Sequence, residues 1–125
     1  MLKTFAVKSS SVCFDGMDKS FTEQSCKWDI VASYIRSVIG ANPTITSAND
    51  GTHSSNSTHY KGLALDLRIN DWKGNIKQHA FVIAWILGTN WLVLLEVDHL
   101  HIQYGFSNLV HPEGIKRIGD GSYIE

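Results

Sequence analysis

The sequence predicts one α+β domain in which an antiparallel sheet is packed by two or three helices. Two segments carry apolar residues at spacings of three and four, two others alternate apolar with polar residues, and one continuous apolar run lies between them. Helical and strand periods are therefore both present. The 125 residues suit a single domain spanning 1–125. With 43% hydrophobic and 18% charged residues, the composition supports a buried core and not a disordered chain.

Residues 1–25 show no sustained period and read as a loop-rich opening. Over 28–39, Val31, Tyr34, Ile35, Val38 and Ile39 form one helical stripe, which Gly40 ends. Residues 43–47 read as a short strand, and Asn49-Asp50-Gly51 is turn chemistry. Between 63 and 69, Leu63, Leu65, Leu67 and Ile69 alternate with Ala64, Asp66 and Arg68, the period of a strand with one buried face. Residues 75–87 predict a mostly buried helix stopped by Gly88, and 91–97 a central strand covered on both faces. Residues 98–104 alternate again, placing His99, His101 and Gln103 on one face and Leu100, Ile102 and Tyr104 on the other. The tail from His111 is expected to be irregular.

Eleven basic and twelve acidic residues leave a net charge of -1, so no basic surface is available for nucleic acid or an anionic membrane. Cys13 and Cys26 show no CxxC spacing, which indicates neither a disulfide framework nor a thiolate zinc site. The first residues lack the continuous apolar stretch of a secretory signal, so synthesis in the cytoplasm without a signal peptide is expected. The most apolar stretch, 80–95, is broken by Gly88, Thr89 and Asn90 and falls short of the roughly 18 to 20 residues that cross a bilayer, so no stable membrane insertion is expected. A monomer is the expected state.

Two segments concentrate the residues able to do chemistry, 57–66 and 96–101. Any one of them alone reads as ordinary: a surface histidine, or an Asp66–Arg68 ion pair. Together, loop residue His59, Asp66 on one strand and His101 on another make a two-histidine, one-carboxylate set. Such a set suits catalytic zinc, which keeps a coordination position open for water and so favours hydrolysis.

The first segment matches SxHxxGxAxD at Ser57, His59, Gly62, Ala64 and Asp66, and the second places Asp98 three residues before His101 in DHLHIQ. In these two ordered motifs the chain resembles the zinc D,D-carboxypeptidase and L-alanyl-D-glutamate peptidase family, which shares its fold with the hedgehog signalling domain. The resemblance covers the motif-bearing core, about 44–104. It implies a hedgehog/D,D-peptidase-like fold and one Zn2+ per chain, held by His59, Asp66 and His101, with Asp98 as general base. It also implies a peptidoglycan stem peptide as substrate, cut at L-alanyl-D-glutamate or D-alanyl-D-alanine, with the Asp base favouring the former. A compact phage endolysin fits, acting on the cell wall after release or as part of a virion.

His99 shares a strand face with His101, which suits a donor to the developing oxyanion. It is also the rival third ligand, because Glu96 stands three residues before it and ExxH overlaps DxxH. Gly62 and Ala64 would leave room for a substrate backbone beside the ion, although a glycine at that place can also mark only a bulge. Ser57 would orient a ligand or substrate, or cap a turn. Many family members carry an Arg in a segment like TSGYR before the first motif, whereas this chain has Thr46-Ser47-Ala48-Asn49-Asp50. Arg68, Lys61 or Arg36 would then receive a substrate carboxylate, with Arg68 the chosen candidate. The alternatives are a non-catalytic, zinc-stabilised binding module of the same fold and, remotely, an HNH-like nuclease. The nuclease motif's Pro and spaced final His are missing.

Overall fold

A computed structural model describes residues 2–48, 62, 64–88, 90–104, 116–119 and 122–124. In chain order the elements are β1 (Ala6–Val7), α1 (Ser20–Glu23), α2 (Ser25–Tyr34) running into a π-helical turn (Ile35–Ile39), β2 (Thr44–Ser47), β3 (Ala64–Arg68), α3 (Ile76–Leu87), β4 (Trp91–Leu95), β5 (His99–Tyr104), β6 (Lys116–Gly119) and β7 (Ser122–Ile124). The strands form one sheet in the order β1-β2-β3-β5-β4-β6-β7.

The class is α+β as expected, but the sheet is mixed, not wholly antiparallel. β1 pairs parallel to β2 through Ala6↔Thr44 and Val7↔Ile45, while the other pairs are antiparallel. The opening segment therefore contributes an edge strand and a helix where a loop was expected. The tail is corrected likewise: β6 lies on β4 through Val93↔Ile118 and turns back into β7. Strands of two to four residues are too short to show a period.

Trp28, Val31, Ala32, Ile35 and Ile39 are the buried face of α2 and its π turn. Val38, expected in this stripe, is 61% exposed. A π turn takes more residues than an α turn, and this rotates Val38 away from the core. Gly40 ends the helix at φ 78°, a left-handed conformation that side chains with a Cβ disfavour.

Asn75 caps α3, its side chain accepting from the Gln78 amide, and Lys27 Nζ donates to the Leu87 carbonyl (3.0 Å) at the other end. A cation there is also stabilised by the negative end of the helix dipole. Ala80, Ile83, Ala84 and Leu87 are buried as α3 packs over β4 and β6, whereas Trp85 is 76% exposed. The helix is thus amphipathic and not mostly buried. Tyr34 Oη and His79 Nδ1, 2.8 Å apart, tie α2 to α3. His79 Nε2 lies 2.6 Å from the Lys73 carbonyl, which can only accept, so Nε2 donates and Nδ1 accepts from Tyr34.

The sheet presents Ile45, Leu65, Leu67, Val93, Leu100 and Ile102 to these helices in the main core. Phe21, Trp28 and Trp91 join it with ring centroids 5.1 to 5.7 Å apart, and Trp91 Nε1 donates to Gln24 Oε1. Each large apolar side chain buried this way contributes about 1.5 to 3 kcal/mol. No described helix is long and apolar enough to cross a membrane.

Candidate functional site

Strands β3 and β5 run antiparallel with Ala64↔Gln103, Leu65↔Ile102, Asp66↔His101, Leu67↔Leu100 and Arg68↔His99 opposite one another. Since Leu65, Leu67, Leu100 and Ile102 enter the core, alternation turns Ala64, Asp66 and Arg68, with His99, His101 and Gln103, to the other face of the sheet. That face is largely buried as well: Asp66 is 6%, His101 8% and Gln103 1% exposed. Ala64, Leu92 and Leu94 are buried there, outside the main core cluster. A carboxylate and an imidazole removed from water in this way require polar partners. Asp66 Oδ1 lies 3.2 Å from His101 Nδ1, and His101 Nε2 lies 2.7 Å from Gln103 Oε1.

The β4–β5 hairpin opens beside this pair. Glu96 N donates to the His99 carbonyl (3.0 Å), which leaves Val97 and Asp98 as the tip. The apolar strand therefore stops at Leu95, and Val97, expected in its buried run, is fully exposed. His99 Nε2 contacts the Glu96 carboxylate and stands 3.7 Å from Asp66 Oδ2, while its Nδ1 is 2.6 Å from Asp98 Oδ1. Burial alone would lower the His99 pKa, but the Glu96 hydrogen bond, the Asp66 charge and the Asp98 hydrogen bond together push it up to about 9. His99 is thus an imidazolium among three carboxylates at neutral pH. Its hydrogen bond and charge hold the Asp98 carboxyl below the usual range. Glu96 occupies the inner nitrogen, and Asp98, its side chain 86% exposed, the outer one.

On the other flank, the register shifts between Ile45 and Ser47, so that Ser47 comes opposite Asp66. This irregularity in β2 brings a hydroxyl residue beside the site, and Thr46 Oγ1 donates to the Asp66 carbonyl (3.4 Å). A four-residue strand offered no signal for it.

Gly62 has a structural reason for being glycine. Its φ is +69°, and a Cβ built there would lie 2.0 Å from the Gly16 carbonyl oxygen. The Gly62 carbonyl accepts from the Asp18 amide at 2.7 Å. The opening segment thus packs directly on the motif glycine, independently of any room needed for substrate.

Of the residues singled out from the sequence, Asp66, Asp98, His99 and His101 are brought together here. His59 and Ser57 lie outside the described residues, as does Lys61. Arg68 is half-buried opposite His99, and among the described residues no ion pair joins it to Asp66 or Asp71. Arg36 donates to the Thr4 carbonyl at the β1 end, which occupies it elsewhere. Cys13 and Cys26 form no disulfide.

Comparison with family models, curated proteins and solved structures yields no match for the chain. What the site can hold is therefore argued from its own donors. Among the described residues no group of three His, Cys, Asp or Glu side chains is arranged to hold a metal ion. Two buried donors do converge, a carboxylate oxygen and an imidazole nitrogen, both of the kind zinc accepts. They fit a divalent cation that takes its third protein donor from elsewhere in the chain.

Proposed function

We propose that this chain is a zinc metallopeptidase that hydrolyses a peptide bond in the peptidoglycan stem peptide, as a phage-type lysis enzyme. The observation supporting it most is the buried, in-register pair Asp66 and His101, with His99 and two further carboxylates at its open end. The likeness of Ser57–Asp66 and Asp98–His101 to the two peptidase motifs adds the third ligand, His59.

In this reading His59, Asp66 and His101 hold one zinc ion, which when bound polarises a carbonyl and makes water acidic enough to ionise near neutral pH. Asp98 accepts the proton from the attacking water and returns it to the departing amine; its exposed place at the hairpin tip lets it face substrate and solvent. Glu96 anchors His99 through Nε2, and when Asp98 takes the proton of the water it gives up the outer Nδ1–H of His99, which then donates to the scissile carbonyl oxygen as negative charge builds on it. Arg68, at the same end of β3, receives a substrate carboxylate. The favoured bond is L-alanyl-D-glutamate.

Incubating the zinc-loaded protein with purified muropeptides and weighing the fragments tests the proposal. A new amino terminus on D-glutamate is the expected product. Intact muropeptides, with zinc bound at one per chain, would exclude a peptidase and leave the non-catalytic binding module.

A further inference from the structure

Register holds Asp66 and His101, because β3 and β5 pair across them. A third donor taken from the chain ahead of β3 needs another support. The nearest described residue on that side is Gly62, and the opening segment of the chain fixes its backbone. The Asp18 amide donates to the Gly62 carbonyl at 2.7 Å, and the Gly16 carbonyl oxygen lies where a Cβ on residue 62 would stand. Both glycines are left-handed, Gly16 at φ 74° and Gly62 at φ 69°, a conformation that side chains with a Cβ disfavour. The two backbones thus approach more closely than other residue types allow.

The segment that makes this contact is itself anchored. The Asp18 carboxylate accepts from the Ser20 amide at 2.9 Å, at the start of α1, and Phe21 of α1 is fully buried against Trp28 and Trp91. Gln24, just past α1, accepts from Trp91, the first residue of β4. Phe14 and Met17 pack on the same core. The contact on Gly62 is therefore tied to the core that carries the sheet.

We infer that the opening segment, through Gly16 and Asp18, is the positioning element for the third metal ligand: by fixing Gly62 it fixes the chain from which His59 comes. This rests on the metal site proposed above. His59 precedes Gly62 by three residues, and three residues reach at most about 10 to 11 Å, so holding one end of the stretch limits where the other can go. Ordering it in advance removes conformational entropy that zinc binding would have to offset. In this role Gly16 and Asp18 act through Gly62 and not on the ion.

Two measurements on the full chain test this. Coupling is reciprocal, so zinc stabilises the contact as much as the contact favours zinc. Amide hydrogen exchange in the parent protein reads that directly. Zinc should slow exchange of the Asp18 amide about 10-fold more than that of the Lys8 amide, which donates to the Ile45 carbonyl at 2.9 Å beside β1. Zinc affinity, by competition with a chromophoric chelator, should fall about 10-fold to 100-fold in Gly16→Ala, the loss typical of a support removed from behind a ligand. Gly62→Ala should fall as far and the double variant little further, because both lose one shared contact. Gly40→Ala, strained alike at φ 78° but at the end of the π turn, should lose melting temperature and keep the parent's affinity. An Asp18 amide whose exchange zinc leaves unchanged overturns the inference, as does a folded Gly16→Ala with the parent's affinity. Equal losses of affinity in Gly16→Ala and Gly40→Ala overturn it too, by making the effect one of stability. If Gly16→Ala does not fold, exchange in the parent decides alone. A parent that binds no zinc overturns the functional proposal together with this inference, whereas zinc bound without effect at Asp18 overturns this inference only.

Discussion

Asp66 and His101 stand directly opposite each other on β3 and β5, with Oδ1 and Nδ1 3.2 Å apart and both residues less than a tenth exposed. Placing a carboxylate and an imidazole face to face inside a sheet costs solvation that hydrogen bonds only partly restore. A fold that keeps such a pair beside Ala64, Leu92 and Leu94 is more readily explained by a ligand the pair receives than by the stability it adds.

The first prediction concerns that ligand. The protein should take up one zinc ion per chain, and His59→Ala, Asp66→Ala and His101→Ala should each abolish uptake, because three protein ligands leave little redundancy. Metal analysis of the purified variants measures it. Full occupancy in Asp66→Ala would remove the ligand assignment.

Gly62 supplies the second. A side chain there meets both a left-handed backbone, worth about 1 to 2 kcal/mol, and the Gly16 carbonyl 2.0 Å away. Gly62→Ala should lower the melting temperature by several degrees even in chelated protein. Unchanged stability with impaired peptide turnover would instead support a glycine kept small for the substrate.

Asp18 yields a pH dependence. Its carboxylate accepts from the Ser20 amide at 2.9 Å, and this bond holds its pKa below 3.8. A depressed folded pKa contributes stability that is complete above the unfolded value and is lost as pH falls through the folded one. The melting temperature of the parent should therefore drop more steeply than that of Asp18→Asn between about pH 5 and pH 2. The difference should be small, since Asp18 is solvent-exposed enough to be screened. Parallel curves for the two proteins would contradict it.

Metal should matter more for activity than for folding. Trp28, Trp91, Ile83, Leu87 and Leu100 are fully buried in a core built without the site, unlike small domains that depend on zinc to fold. Chelation should lower the melting temperature and leave the near-ultraviolet circular dichroism at 25 °C intact. Loss of that signal on adding chelator would show that the sheet depends on the ion.

How far the sequence reveals this arrangement depends on strand length. The alternation in β3 and β5 runs long enough to show that Asp66 and Arg68, and His99, His101 and Gln103, each share a face. The two-residue β1, the register shift before Ser47 and the short β6 and β7 have no such period and emerge only from pairing. Val38 misleads because a π turn breaks the 3.6-residue count that placed it in the stripe. Gly62 shows the same limit: its neighbour Gly16 is remote in sequence, so a motif position reads as belonging to the site when the opening segment also requires it. Gln103 could be placed beside His101 by counting, but its 2.7 Å approach to the ring is a distance that spacing does not contain.

The last prediction separates the two overlapping acidic motifs. Glu96 and Asp98 are divided by the His99 ring, Glu96 on the nitrogen that faces Asp66 and Asp98 on the nitrogen that faces outward. If Asp98 is the proton acceptor, Asp98→Asn should keep zinc and fold while losing about 100-fold to 10,000-fold in turnover. Glu96→Gln should cost far less, because it loosens an anchor and leaves the acceptor in place. His99→Ala should keep zinc and lose about 10-fold to 1,000-fold, the value of a donor to a developing oxyanion. Turnover and bound zinc measured together read the outcome. An inactive Glu96→Gln beside a metal-free His99→Ala would move the site by two residues, making His99 the ligand and Glu96 the base, and the short contact between those two side chains would then be the interaction of a base with a neighbouring ligand.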